Sequence, residues 1–145
     1  MAVFLLDTNV LISLIWPNHS HHQRAHAWFS TLGDDRWATC PMTECGFVRI
    51  SSNPGFDLET LTPPEAIAIL RQTISHPRHV FWEDTLAICS SSRFPLQSLT
   101  GHKQITDAYL FTMAIERGEK LVTFDAGIPS LARNDADRQA IVLLS

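Results

Sequence analysis

Four carboxylates stand where a strand or helix pattern begins or ends: Asp7 after AVFLL, Glu44 in MTECGFVRIS, Asp107 in TDAYLFTMAIERG and Asp125 after KLVTF. Asp7 is the hardest to treat as ordinary. It sits inside VFLLDTNVLI, residues 3–12, between two apolar runs. A charge buried there without a partner would be strongly unfavourable. The other three have plain readings as well: Asp107 as a helix N-cap, Asp125 before Ala126-Gly127 as a turn residue, and Glu44 as an exposed helix residue. As a set they suggest different chemistry. Two carboxylates about 5 Å apart repel by roughly 3 kcal/mol at an effective dielectric of about 20. Four in one cleft would raise one another's pKa or require a counter-ion. Oxygen-only ligands suit hard cations such as Mg²⁺ or Mn²⁺. A metal held this way activates water and stabilises charge on a phosphodiester, the chemistry of many nucleases.

The surrounding pattern supplies elements that would place these acids together. AVFLL reads as a strand and TNVLISLI as a short helix stopped by Pro17. SHHQRAHAWFSTL has Ala25, Trp28, Phe29 and Leu32 at helical spacing and Gly33 at its end. RWATC is a brief strand, MTECGFVRIS a helix closed by SSNPG, and TPPEAIAILRQTI a helix with Thr62 as N-cap and Pro63 at its first position. HVFW is a strand, whereas TLAICSS is ambiguous. TDAYLFTMAIERG is the clearest helix, with Leu110, Ala114 and Ile115 on one face and Gly118 ending it. KLVTF and AIVLL are strands. This alternation predicts an α/β fold: a central, mostly parallel sheet of about five strands flanked by helices in three layers. Ligands of such sheets sit beyond the carboxyl ends of the strands, where Asp7 and Asp125 fall.

Composition narrows the classes. The 145 residues suit one domain over 1–145, with 45% hydrophobic and 18% charged residues. No segment reaches the roughly 18 uninterrupted apolar residues of a membrane span, and no basic region precedes VFLL, so neither a membrane association nor a signal peptide is expected. Three cysteines, Cys40, Cys45 and Cys89, without a CxxC pair favour reduced, mostly buried thiols in a cytoplasmic setting. A net charge of −4 with pI near 5.9 leaves nucleic-acid contact to a local patch and bound cations.

LLDTNVLI, SHHQRAHAWF, TECGFVRISSNP and TDAYLFTMAIERGEKLVTFDAG, taken together, resemble the PIN-domain ribonucleases, and more closely the VapC toxins of bacterial toxin–antitoxin pairs. The resemblance runs almost end to end and implies a PIN-like three-layer fold. It implies that Asp7, Glu44, Asp107 and Asp125 form an acidic site for Mg²⁺ or Mn²⁺, with Thr8, Asn9 and Thr123 as a supporting shell that orients carboxylates or a water. It further implies endonucleolytic cleavage of RNA of the tRNA or ribosomal RNA class by a metal-activated water. A cognate VapB-like antitoxin would lay a C-terminal segment across the site, bringing a basic residue to the acids. A homodimer is the family-like expectation.

Other features stay open between two readings. His22 and His26, four apart in HSHHQRAH, are placed to share a metal or to form a solvated helix start; the resemblance favours the second, outside the acidic site. His102 and Lys103 are candidates for phosphate contact or a plain surface loop. Arg24, Arg49 and Arg117 are candidates for backbone phosphates, with a structural salt bridge as the alternative for Arg49, which is expected to point away from Glu44. Trp16, Trp28, Phe29 and Trp37 read mostly as core, with an interface groove as the alternative. Two other functions compete with the toxin: a PIN-type RNA-processing nuclease without an antitoxin, and a non-catalytic metal-binding α/β module.

Overall fold

The structure, a computed structural model, describes residues 1–57 and 59–145. Five strands form one sheet: β1 (Val3–Leu6), β2 (Arg36–Thr39), β3 (His79–Phe81), β4 (Lys120–Thr123) and β5 (Ile141–Leu143), in the order β3-β2-β1-β4-β5. Every pairing is parallel, so the expected mostly parallel sheet is wholly so. Register sets Leu5 beside Ala38 on one side and Leu121 on the other.

Successive strand residues alternate between two cores, as strand geometry requires. Leu5, Ala38 and Leu121 face a cluster built with α5 (Ile105–Glu116) and the irregular stretch carrying Trp82, Leu86 and Phe94. Leu6, Trp37 and Val122 face the opposite cluster, built with α1 (Thr8–Ile15), α3 (Pro41–Ser51) and α4 (Pro63–Ile74), with the partly buried aromatics of α2 (His22–Phe29) packed against it. A parallel sheet buried on both faces accounts for strands that are apolar at nearly every position. A last short helix, α6 (Asp135–Arg138), precedes β5.

The local signals act as predicted at most boundaries. Thr62 caps α4 through a reciprocal pair with Glu65, its hydroxyl accepting from the Glu65 amide and its own amide donating to the Glu65 carboxylate. Gly118 takes φ +67° just past α5, a conformation that lets the chain leave the helix at no steric cost. Residues 85–91, ambiguous in sequence, form neither helix nor strand. One expectation fails: only Cys40 is buried, while Cys45 and Cys89 are exposed, and all three are free thiols. Among the described residues no helix is long and apolar enough to cross a membrane.

Candidate active site at the carboxyl edge of the sheet

The chain builds β1, moves outward through β2 and β3, then returns to the other side of β1 as β4. The sheet order therefore reverses between β1 and β4, and the crevice beyond their carboxyl ends is where ligands of parallel sheets bind. Asp7 directly follows β1 and Asp125 stands two residues after β4. Asp107 enters from the third position of α5.

Asp7 is buried, with 6% exposure, and every part of it is engaged. Its backbone amide continues the sheet to the Val122 carbonyl at 2.9 Å. Oδ1 accepts from the Thr8 amide at 2.7 Å and so caps α1. Oδ2 accepts from the Thr123 hydroxyl at 2.7 Å. Asn9 completes the clamp between α1 and the end of β4: its Nδ2 lies 3.4 Å from both Asp7 Oδ2 and Thr123 Oγ1, and its Oδ1 accepts from the Phe124 amide at 3.2 Å. Burial pushes the Asp7 carboxyl above its ordinary value, the Thr123 and Thr8 donors oppose that, and the Asp125 charge adds to it.

Asp107 is strongly perturbed. Burial first, then the charges of Asp7 and Asp125, and finally a hydrogen bond with Asp125 raise it to about 7. A hydrogen bond between two carboxyls needs a proton on one of them, and the raised value assigns it to Asp107. The N-cap reading of Asp107 does not hold, because Gln104 occupies that position and Asp107 lies inside the first turn. The turn reading of Asp125 does hold. Its Oδ1 accepts from the Gly127 amide at 2.8 Å, and its own amide donates to Thr123 Oγ1 at 3.0 Å. A local turn role and membership of the acid cluster are compatible.

Glu44 is placed differently. It lies in the first turn of α3, after β2. Its Oε2 accepts from the Thr39 hydroxyl at 2.6 Å, and Thr39 Oγ1 is 2.7 Å from His79 Nε2. Thr39 has one proton to give, so His79 donates to it and Glu44 receives from it. Burial and the nearby His76 lower His79 to about 4, which keeps the imidazole neutral for that donation. The charges that raise Asp107 are those of Asp7 and Asp125. The fold thus gathers three of the four predicted acids and ties the fourth to the β2–β3 side.

In the predicted shell, Asn9 and Thr123 both bond to Asp7, whereas Thr8 contributes its backbone amide and a packing contact. A Cβ on Gly46 would stand 2.9 Å from Thr8 Oγ1, closer than real contacts allow, so α3 rests directly on the start of α1. That contact, together with Gln104, had no motif in the sequence to announce it.

Asp7 and Asp107 line a cleft of about 430 Å³ together with Asn9, Ile12, His19 and Arg49. His19, at the start of the same histidine run, is found in this cleft. Arg49 lines both this cleft and the depression containing Glu44, instead of pointing away, and it forms no ion pair among the described residues. His22 and His26 turn to backbone carbonyls. Their Nδ1 and Nε2 atoms lie 2.8 and 3.0 Å from the Ser13 and Leu14 carbonyls. These carbonyls are in the last turn of α1, where helix geometry leaves them without partners. Arg24 bonds to His21 and lies 5.8 Å over Phe124, while Arg117 lies 4.7 Å over Trp82 and donates to the Glu83 carbonyl. His102 and Lys103 form an exposed turn before α5. A larger groove of about 600 Å³, between α1, α2 and α4, has no carboxylate in its lining.

The donor set suits a hard cation. Burial and the Asp125 charge raise Asp7, burial and the charges of Asp7 and Asp125 raise Asp107, and a divalent ion would relieve that repulsion with the oxygen ligands it prefers. Among the described residues no three of His, Cys, Asp and Glu already stand at metal-holding distances.

Comparison with known proteins follows the same outline. Residues 4–134 match the PIN domain. The chain is 43% identical to Ribonuclease VapC39 of Mycobacterium tuberculosis over 128 residues, covering 88% of this chain and 92% of the relative. It is 41% identical to Ribonuclease VapC38 of the same organism over 129 residues, covering 89% of each. Among solved structures it resembles one of VapBC2 from Rickettsia felis bound to a DNA fragment from their promoter, with TM-score 0.66, 13% identity and 99% of each chain covered.

Proposed function

The chain belongs to the PIN-domain family, and on that premise we propose that it is a VapC-type endoribonuclease toxin, forming one PIN domain over residues 1–145. The observation that carries this reading is the set of three aspartates from β1, α5 and the end of β4 at the switch point of a parallel sheet, where burial and the charge of Asp125 raise Asp7, and burial and the charges of Asp7 and Asp125 raise Asp107. We assign Asp7, Asp107, Asp125 and Glu44 to a site for Mg²⁺ or Mn²⁺. The three aspartates are its inner members. Glu44, with one oxygen held by Thr39, is the outer member acting through water. When bound, such an ion supplies an activated water and positive charge for a phosphodiester.

The chain's own groups have separable tasks. Thr123, Asn9 and the Thr8 amide fix the orientation of Asp7, so that it meets a cation without reorganisation. Asp107, held up to about 7 by burial and by the charges of Asp7 and Asp125, would release its proton when a counter-charge is present. The substrate class is structured cellular RNA, tRNA or ribosomal RNA. The partner is a VapB-like antitoxin whose basic residue would occupy the same acidic cleft, and the toxin pairs with a second copy of itself. A cytoplasmic setting suits three unpaired thiols. The high identity to proteins named VapC ribonucleases favours this reading over an RNA-processing nuclease or a non-catalytic module.

The test uses the purified chain, free of partner, with total RNA and Mn²⁺ or Mg²⁺. Cleavage that EDTA abolishes and that Asp7→Ala lacks is the expected result. Equal cleavage by wild type and Asp7→Ala would place the activity elsewhere and overturn the assignment.

A further inference from the structure

The acidic cleft also contains two groups that suit an anion. Arg49 is exposed on α3 and lines the cleft with Asp7 and Asp107. Among the described residues its guanidinium makes no ion pair, hydrogen bond or aromatic stack. The other two arginines considered from sequence are already occupied: Arg24 with His21 and Phe124, Arg117 with Trp82 and the Glu83 carbonyl. An unpartnered cation beside repelling carboxylates is an unusual arrangement, since an ion pair with either would relieve them.

His19 is the second group. Its Nδ1 accepts from the His21 backbone amide at 3.0 Å, so that nitrogen bears a lone pair. Ser13 Oγ, 3.3 Å away, already donates to the Asn9 carbonyl at 2.6 Å and has no further proton to offer. The proton of the neutral ring must therefore be on Nε2, which has no partner among the described residues. Burial, with the charges of His21 and His22, lowers His19 below its ordinary value and supports the neutral form. The cleft thus contains a charged donor and a neutral donor along with the acids.

We propose that Arg49 and His19 form the subsite that holds the RNA backbone beside the cleaved bond. Arg49 pairs with one phosphate, and the Nε2–H of His19 donates to a phosphate oxygen. Both are positioning residues, and the proposal rests on the ribonuclease reading above. It explains how a chain of net charge −4 engages a polyanion: the contact is local and lies inside the acidic cleft.

The two donors make different predictions because one carries charge. Binding of a fluorescein-labelled, unstructured oligoribonucleotide is followed by anisotropy in EDTA across a potassium chloride series. Arg49→Gln weakens binding about tenfold and reduces the slope of log Kd against log salt by about 0.7, the loss of one phosphate contact to a single strand. Arg49→Lys keeps the slope. His19→Gln weakens binding by a smaller factor and leaves the slope unchanged. Thermal midpoints with and without Mg²⁺ are recorded for each variant. If Arg49→Gln keeps the wild-type slope but changes the stabilisation by Mg²⁺, Arg49 is only a counter-charge to the acids and the proposal fails. A slope change for His19→Gln would remove the neutral-donor assignment. If wild type never cleaves RNA with Mg²⁺ or Mn²⁺ while the Arg49 slope falls as expected, the ribonuclease reading fails and the anion subsite stands.

Discussion

Asp7 and Glu44 follow adjacent parallel strands, and their surroundings differ in kind. On the β1–β4 side, Asp7, Asp107 and Asp125 crowd one crevice, and Asp107 keeps a proton near neutral pH because burial first, and then neighbours of like charge, raise it. On the β2–β3 side, Glu44 receives a hydrogen bond from Thr39, which in turn receives one from a neutral His79. The first region carries electrostatic strain and the second is satisfied. Topology supplies the reason. The sheet order reverses only between β1 and β4, so that is where strand ends open onto a crevice in place of a connecting helix. Unrelieved charge at that position is what a cation-dependent site requires, and a satisfied network beside it keeps the neighbouring strands in place.

The contrast can be broken from the strained side first. Asp107→Asn removes an inner carboxylate and is expected to lower RNA cleavage at least about a hundredfold. Glu44→Gln, which keeps an oxygen for Thr39, is expected to lower it about tenfold or less, consistent with an outer role. An effect of Glu44→Gln equal to that of Asp107→Asn would place Glu44 with the aspartates and erase the distinction.

The pH dependence of stability should separate the regions next. The folded value of Asp107 lies above its unfolded one, so its contribution favours folding below the unfolded pKa and is lost as pH rises through about 7. Without a divalent cation, the melting temperature should therefore fall as pH rises from about 5 to about 8. Asp107→Asn should flatten that fall, and Mg²⁺ should raise the melting temperature more at the higher pH. A wild-type profile unaltered by Asp107→Asn would remove Asp107 as its source.

On the satisfied side, Thr39→Val removes the hydroxyl that links Glu44 and His79. Its expected effect is a loss of about 1–3 kcal/mol in chemical denaturation, with cleavage reduced far less than by Asp107→Asn. Gly46→Ala is expected to have the smallest effect on the chemistry. The added methyl presses on Thr8, costing about 1–3 kcal/mol, and Thr8→Ala in the same chain should recover most of it. Failure of that rescue would show that Gly46 is required for another reason.

Sequence patterns located the elements well because strand alternation, caps and terminal glycines are local. Thr62, Gly118 and the apolar run into Asp7 each act within a few residues. What was illegible depended on register or on distant packing. Nothing near Glu44 reveals that His79, across β2 and β3, holds its hydrogen-bond partner. Asp107 read equally well as a cap because the competing Gln104 has no strong cap signature. The histidine run looked like a solvated helix start; three-dimensional placement splits it into His22 and His26 serving α1 and His19 serving the cleft. Cys45 and Cys89 show the same limit, since composition indicates their redox state but not which face of the chain carries them.

The bond from Thr123 to Asp7 joins residues 116 positions apart in the chain. During synthesis, therefore, the first strand emerges with its carboxylate long before the strand that completes the crevice exists. A ribosome that has made only the earlier helices carries no joined pair of Asp7 and Asp125, and long-range parallel pairing forms late and slowly. The crevice would thus be incomplete until β4 has emerged and paired with β1.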